Sequence, residues 1–288
     1  MSCAAHHSPN EASFEAYART AGGRRLAAAF GRARQEGRAA LVGYWMGGYP
    51  DVPTSEQALA ALVRGGCDVL EVGVPFSDPV ADGPVLQHAA SKALERGATL
   101  RQVLEAAARV QAAAPSVPVV IMSYYNPLLQ MGTDHFTAAV ASAGLAGLIA
   151  PDLPLEEAEG LRCELEERGL AWVSLAAPTS GPRLARLARA SDGFVYAVSR
   201  LGVTGARQDV APQARELVEA LRRTTPLPVA VGFGVAGPQQ ASAYRFADGV
   251  VVGSAFAALW ERQGNDPPAA LHGVEHLAFT IRRALEGP

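Results

Sequence analysis

The sequence predicts one closed barrel of eight parallel strands, each followed by a helix, with an extra helix ahead of the first strand. Three observations carry this expectation. Eight apolar, β-prone runs alternate with helical patterns along the chain. The runs are continuously apolar, as expected where helices cover a parallel sheet. The chain has 288 residues and no visible interdomain linker, which suits a single barrel of roughly 250 residues with short additions. Eight such units favour a closed barrel over a doubly wound sheet.

Taken in order, residues 1–23 are small, polar and aperiodic, and are expected to form a flexible N-terminal extension. The barrel domain is expected over 24–288. RRLAAAFGRARQ, from Arg24 to Gln35, reads as an alanine-rich helix. The strand runs are 41–46, 69–74, 117–124, 147–151, 171–177, 194–199, 228–233 and 249–254. Helical patterns lie between them at 55–64, 88–96, 100–113, 133–143, 155–168, 183–190, 212–223 and 237–245, and a closing helix covers 269–285.

Composition removes several function classes. The net charge is -3, so there is no basic excess to neutralise a polymer of phosphates, and nucleic-acid binding is not expected. No apolar run reaches the about 18 residues of a membrane span, and MSCAAHHSPNEASFEAY has no apolar stretch like that of a signal peptide. Cys3, Cys67 and Cys163 are odd in number and far apart, so they read as reduced thiols of a cytoplasmic protein. Lys92 is the only lysine. Imine chemistry is therefore restricted to Lys92 or the terminal amine.

Active sites of such barrels lie at the C-terminal ends of the strands, so the residues closing each run are the informative ones. The second run holds Glu71 between Leu70 and Val72. A carboxylate there faces either the barrel interior or the helix layer. Burial would raise its pKa, which suits a general acid/base; the alternative is a paired structural carboxylate. Asp78 and Asp82 follow in a Pro/Gly-rich loop, where turn capping competes with a functional role. Gly232-Phe-Gly234-Val-Ala-Gly237 matches the G-x-G-x-x-G pattern. It follows the seventh strand, however, and the next strand ends in Gly253-Ser254 rather than an acid. That context points to the phosphate site that barrels form after strands seven and eight, not to a dinucleotide. His272-Gly-Val-Glu275-His276 matches H-x-x-E-H, but it lies in the closing helix without an evident third ligand, so no metal is expected. Tyr196 precedes Ser199-Arg200-Leu-Gly202-Val-Thr204-Gly205, a polar stretch that reads as a lid.

LEVGVPFSDPVADGPVLQ, YYNPLLQMG, GLIAPDLPLEE, SRLGVTGAR, GFGV and VVGSAF occur in this order. Together they resemble the tryptophan synthase alpha subunit, over roughly residues 24–285. The resemblance implies retro-aldol cleavage of indole-3-glycerol phosphate to indole and glyceraldehyde 3-phosphate, with neither metal nor lysine imine. It implies Glu71 as general acid/base, Asp82 as the partner of the indole N–H, and Tyr196 as an assistant beside Glu71. Gly205, Gly234, Gly253 and Ser254 would cradle the phosphate, and Tyr44, Met122 and Tyr124 would line the indole pocket. It also implies an alpha-beta-beta-alpha heterotetramer, in which pyridoxal phosphate belongs only to the beta subunit, with beta contacts near 75–82 and 124–132. A stand-alone indole-releasing lyase, a mainly activating subunit and another phosphosugar barrel are the competing readings. One departure stands out. The family usually carries a Thr/Ala-Gly-Asp-Pro type segment after the first strand. Here Tyr44-Trp-Met-Gly-Gly-Tyr49-Pro50 puts Tyr49 where an acid helps communication with the beta subunit.

Overall fold

The computed structural model describes residues 13–198, 210–232 and 234–287. The strands are β1 (Ala40–Met46), β2 (Val69–Gly73), β3 (Val119–Met122), β4 (Gly147–Ile149), β5 (Ala171–Trp172), β6 (Leu175–Ala176), β7 (Val195–Val198), β8 (Val229–Gly232) and β9 (Gly249–Val252). The helices are α1 (Ala21–Gln35), α2 (Val52–Arg64), α3 (Pro84–Glu95), α4 (Leu100–Ala113), α5 (Tyr125–Met131), α6 (Thr133–Ser142), α7 (Glu159–Glu167), α8 (Leu184–Ala190), α9 (Val210–Arg222), α10 (Pro238–Ala243), α11 (Ser254–Gln263) and α12 (Pro267–Ala284).

All strand pairs are parallel, in the order β5-β4-β3-β2-β1-β9-β8-β7-β6. β5 and β6 are two halves of the fifth apolar run, separated by Val173 and Ser174. Val173 N–H donates to Leu148 on one side at 3.0 Å, and Ser174 C=O accepts from Tyr196 N–H on the other at 3.0 Å. The fifth run thus joins the two ends of the order and closes the barrel. Its split is what turns eight sequence runs into nine strands among the described residues.

Register decides what fills the interior, because residues paired across parallel strands point to the same side. One set runs Tyr44, Glu71, Val120, Gly147 and Ala171. Another runs Leu175, Tyr196, Ala230, Gly249 and Ala40.

The N-terminal end of the barrel is stoppered by α1. Thr20 caps the helix by accepting from Gly23 N–H, and the buried face repeats at helical spacing through Leu26, Ala27, Phe30 and Ala33. Phe30 meets Phe194 with ring centroids 5.1 Å apart. Buried Asp192 holds the approach to this helix. It accepts from Arg19 N–H at 2.9 Å, Thr20 N–H at 3.0 Å, Thr20 Oγ at 2.6 Å and Gly193 N–H at 3.0 Å.

Several boundaries move relative to the sequence expectation. The extension does not reach residue 23. Ser13 caps a 3-10 turn over Phe14–Tyr17, Phe14 is buried, and α1 begins at Ala21. The pattern at 183–190 resolves into a 3-10 turn over Pro178–Arg183 followed by α8. The helix expected at 155–168 is shorter, as α7. α5 and α11 had no counterpart in the helical patterns. Each starts where an apolar strand run, 117–124 or 249–254, ends, so the strand pattern runs straight into it.

Replacing Asp192 by Ala leaves three buried donors, and the half-buried Arg19 N–H, without their acceptor. We expect a loss of about 2–3 kcal/mol in urea-unfolding stability, because those donors cannot recover water while the helix stays docked.

Candidate active site

The C-terminal ends of the strands gather Glu71, Asp82 and three tyrosines. Glu71 sits in the middle of β2, fully buried and in register with Tyr44. The open choice between interior and helix layer is thereby settled for the interior. Neither of its carboxylate oxygens has a hydrogen-bond partner among the described residues. Burial first, and then the charge of Asp82, pushes its pKa up to about 8. The group is therefore mostly protonated at neutral pH, yet one pH unit from giving up its proton.

Asp82 lies in the loop between β2 and α3, half-buried. Tyr124 Oη donates to its Oδ2 at 3.0 Å, and the same phenol oxygen accepts from Ala81 N–H at 3.0 Å. One side chain thus pins both the backbone and the carboxylate of the loop. Burial pushes the Asp82 pKa up to about 6, with the Tyr124 hydrogen bond working against the shift. Asp82 remains mainly ionised at neutral pH. The two carboxylates therefore rest in opposite protonation states, the condition for dividing acid and charge-stabilising roles.

Tyr44 and Tyr196 are buried, and both phenols are pushed well up by burial first. The carboxylates of Asp82 and Glu71 act on both in the same direction, which places all four groups in one chamber. Met122 ends β3, in register with Gly73. Phe76 stacks near Tyr124 with centroids 5.3 Å apart.

Glycines make room for these rings. A Cβ at Gly73 would collide with Tyr44 Oη, and one at Gly232 with Tyr196 Oη. At Gly253 it would lie 2.8 Å from the Tyr44 ring. Sequence reasoning singled out Gly253 for phosphate contact and did not assign Gly73 a role. The signal available for it was a glycine closing a strand whose inward neighbour is aromatic.

Gly234 follows β8 with φ +82°, and among the described residues no atom lies within 4 Å of where its Cβ would be. It supplies a left-handed turn. Gly253 precedes α11, and its carbonyl accepts from Phe256 and Ala257 N–H at 2.9 and 3.2 Å. Ser254 opens that ten-residue helix, and the amides ahead of Phe256 have no carbonyl of a preceding helical turn to bond, which suits an anion. Gly205 and the lid stretch Ser199–Gly205 lie outside the described residues.

Other sequence candidates stand apart. Asp78 is exposed and accepts from Ser77 Oγ. Glu275 of the H-x-x-E-H segment is engaged by Arg64 at 2.7 Å. No three potential ligands gather to hold a metal among the described residues. A cavity of about 250 Å³ flanks β5 between Asp152, Trp172 and Arg183, and none of the predicted site residues lines it. No helix among the described residues is long and apolar enough to cross a membrane.

A closed parallel barrel whose interior holds a buried carboxyl, with a second carboxylate in the loop that follows its strand, has the architecture of a (β/α)8 enzyme. The family model described as tryptophan synthase alpha chain matches residues 30–285. The chain is 48% identical over 255 residues to the tryptophan synthase alpha chain of Acidothermus cellulolyticus, covering 88% of this chain and 95% of the relative. It is 44% identical over 260 residues to that of Thermosynechococcus vestitus, covering 89% and 95%. Among solved structures, a chain of Mycobacterium tuberculosis tryptophan synthase aligns with TM-score 0.84 and 41% identity over 92% of this chain and 99% of its own. The alpha subunit from Legionella pneumophila aligns with TM-score 0.82 and 29% identity over 91% and 98%. The chain belongs to the tryptophan synthase alpha chain family.

The raised Glu71 pKa has a signed consequence for stability. Between its ordinary value of 4.5 and about 8 the folded state holds more protons than the unfolded state. Stability therefore falls as pH rises through that window. Glu71→Gln removes the titration. Its urea midpoint should exceed that of the parent at about pH 8.5, and the difference should shrink toward zero at about pH 5.

Proposed function

We propose that this chain cleaves indole-3-glycerol phosphate to indole and glyceraldehyde 3-phosphate by a retro-aldol reaction, as the alpha chain of tryptophan synthase. The observation that carries the roles is the pair of unlike carboxyls. Glu71, protonated at rest, gives its proton to the indole ring carbon that bears the glycerol chain. The positive charge that develops on the indolenine nitrogen is met by ionised Asp82, which accepts the N–H. Glu71, now a carboxylate, takes the proton of the glycerol hydroxyl next to the bond that breaks. The C–C electron pair returns to the ring, indole and the aldehyde separate, and Glu71 ends protonated as it began.

Tyr196 sits beside Glu71 and helps hold the reacting carbons in this dry chamber. Tyr44, Met122 and Tyr124 wall the indole. The phosphate rests at the turn of Gly234 and the α11 N-terminus at Gly253-Ser254, with Gly205 as a further phosphate contact. No cofactor enters this chain's own chemistry; pyridoxal phosphate belongs to the beta subunit, to which indole is passed in a cytoplasmic alpha-beta-beta-alpha tetramer. Val80 and Leu129, both exposed apolar side chains, fall within the segments 75–82 and 124–132 that would face that subunit.

Glu71→Gln keeps the shape and removes the proton transfer. Indole release should fall by about 10²–10⁴ or more with substrate still bound. A folded variant keeping more than roughly a tenth of the parent kcat would return Glu71 to a structural role. Gly234→Val puts a β-branched side chain at positive φ beside the phosphate and should raise KM strongly; an unchanged KM in a folded variant removes the phosphate assignment. Titration with the cognate beta subunit should accelerate indole formation, and absence of both binding and activation would leave a stand-alone lyase.

A further inference from the structure

Tyr49 ends the turn after β1 and is 2% exposed. Trp45 Nε1 donates to its carbonyl at 2.9 Å, and the two rings lie 6.0 Å apart. Its Oη donates to Glu261 Oε1 on α11. The same carboxylate oxygen lies 3.5 Å from His88 Nε2 on α3. Trp45 also meets Trp260, the neighbour of Glu261, edge to face at 6.1 Å. One carboxylate therefore joins the β1 turn to two helices.

Those two helices lead to opposite ends of the site. α11 begins at Ser254, seven residues before Glu261, so the two residues lie about two turns apart on one helix face. α3 begins at Pro84, two residues after Asp82, and Gln87 Nε2, beside His88, donates to the Asp82 carbonyl at 2.8 Å. A continuous set of contacts thus runs from the helix end that would seat phosphate, through Glu261, to the loop that carries Asp82. The substrate's own length fixes the distance between its phosphate and its ring, so the spacing of these two helices fixes how well Asp82 meets the ring nitrogen.

The geometry points to Tyr49 and Glu261 as positioning residues for Asp82, forming with His88 a strap that couples occupation of the α11 N-terminus to the order of the Asp82 loop. This rests on the phosphate and Asp82 roles proposed above. Because Tyr49 touches neither phosphate nor ring, its loss should leave phosphate affinity alone and lower turnover.

The test uses the full chain and glycerol 3-phosphate, which carries the phosphate and three-carbon part without indole. In the parent, saturating probe should slow amide exchange over residues 77–83 by about fivefold or more, the lower range of site-to-site coupling. In Tyr49→Phe the probe Kd should stay within about twofold, the slowing should vanish, and kcat for indole release should fall about three- to tenfold with KM little changed, the pattern of a misplaced transition-state contact. Glu261→Ala should reproduce this. Glu261→Gln, which keeps an acceptor for the phenol, should restore most of the slowing, and this pair decides the matter if Tyr49→Phe does not fold. Full slowing and full kcat in Tyr49→Phe and Glu261→Ala overturn the strap while leaving the phosphate assignment standing. Absence of saturable probe binding by the parent overturns the phosphate assignment and the strap with it.

Discussion

The parallel register of the closed barrel is the constraint on which the site depends. Pairing Tyr44 with Glu71, and Leu175 with Tyr196, turns ionisable side chains from distant parts of the chain into one enclosed space. A shift of one residue in β2 would send Glu71 into the helix layer and bring Leu70 or Val72 inward. Enclosure then sets the chemistry. Burial is the largest influence on Glu71 and on Asp82, and the second carboxylate adds to it for Glu71. Asp82 is less enclosed and has a phenol donating to it, so the two pKa values separate around neutrality.

The rings and the glycines form a second, mutual constraint. Tyr44 lies over Gly73 and Gly253, and Tyr196 over Gly232. Each large side chain occupies the space that a neighbouring strand leaves empty, as close packing of an interior demands. Two of these glycines, Gly232 and Gly253, also stand at the turns proposed for phosphate. Wall and anion seat are therefore not independent parts, and a substitution at Gly253 acts on Tyr44 as well as on the start of α11.

Stability and chemistry occupy opposite ends of the barrel. At the N-terminal end, carboxylates are fully engaged. Asp68 takes a bidentate pair from buried Arg38 at 2.6 and 2.8 Å and accepts from Leu41 N–H. Asp248 accepts from Val229 N–H at the start of β8 and from Arg222. Asp192 clasps the entry to α1. At the other end Glu71 has no hydrogen-bond partner among the described residues, which costs stability and favours its protonated form. Satisfied acids at one end thus support a body that carries a desolvated carboxyl toward the other.

Much of this was legible in the chain itself. Eight continuously apolar runs separated by helical patterns determine a barrel, because a strand buried on both faces needs apolar residues throughout. Glu71 announced itself as a carboxylate inside such a run, and the glycine pairs after the last two runs marked turns that suit an anion. What the one-dimensional pattern could not decide was which face Glu71 takes, since both faces of a barrel strand are apolar. Nor could it place Tyr124 on Asp82, 42 residues away, or Tyr49 on Glu261, 212 residues away. It also left α5 and α11 unmarked, because each starts where an apolar strand run, 117–124 or 249–254, ends. Those relations depend on the register and on the angle at which each helix returns to the sheet. They are set by packing the whole cylinder at once, so only the tertiary structure decides them.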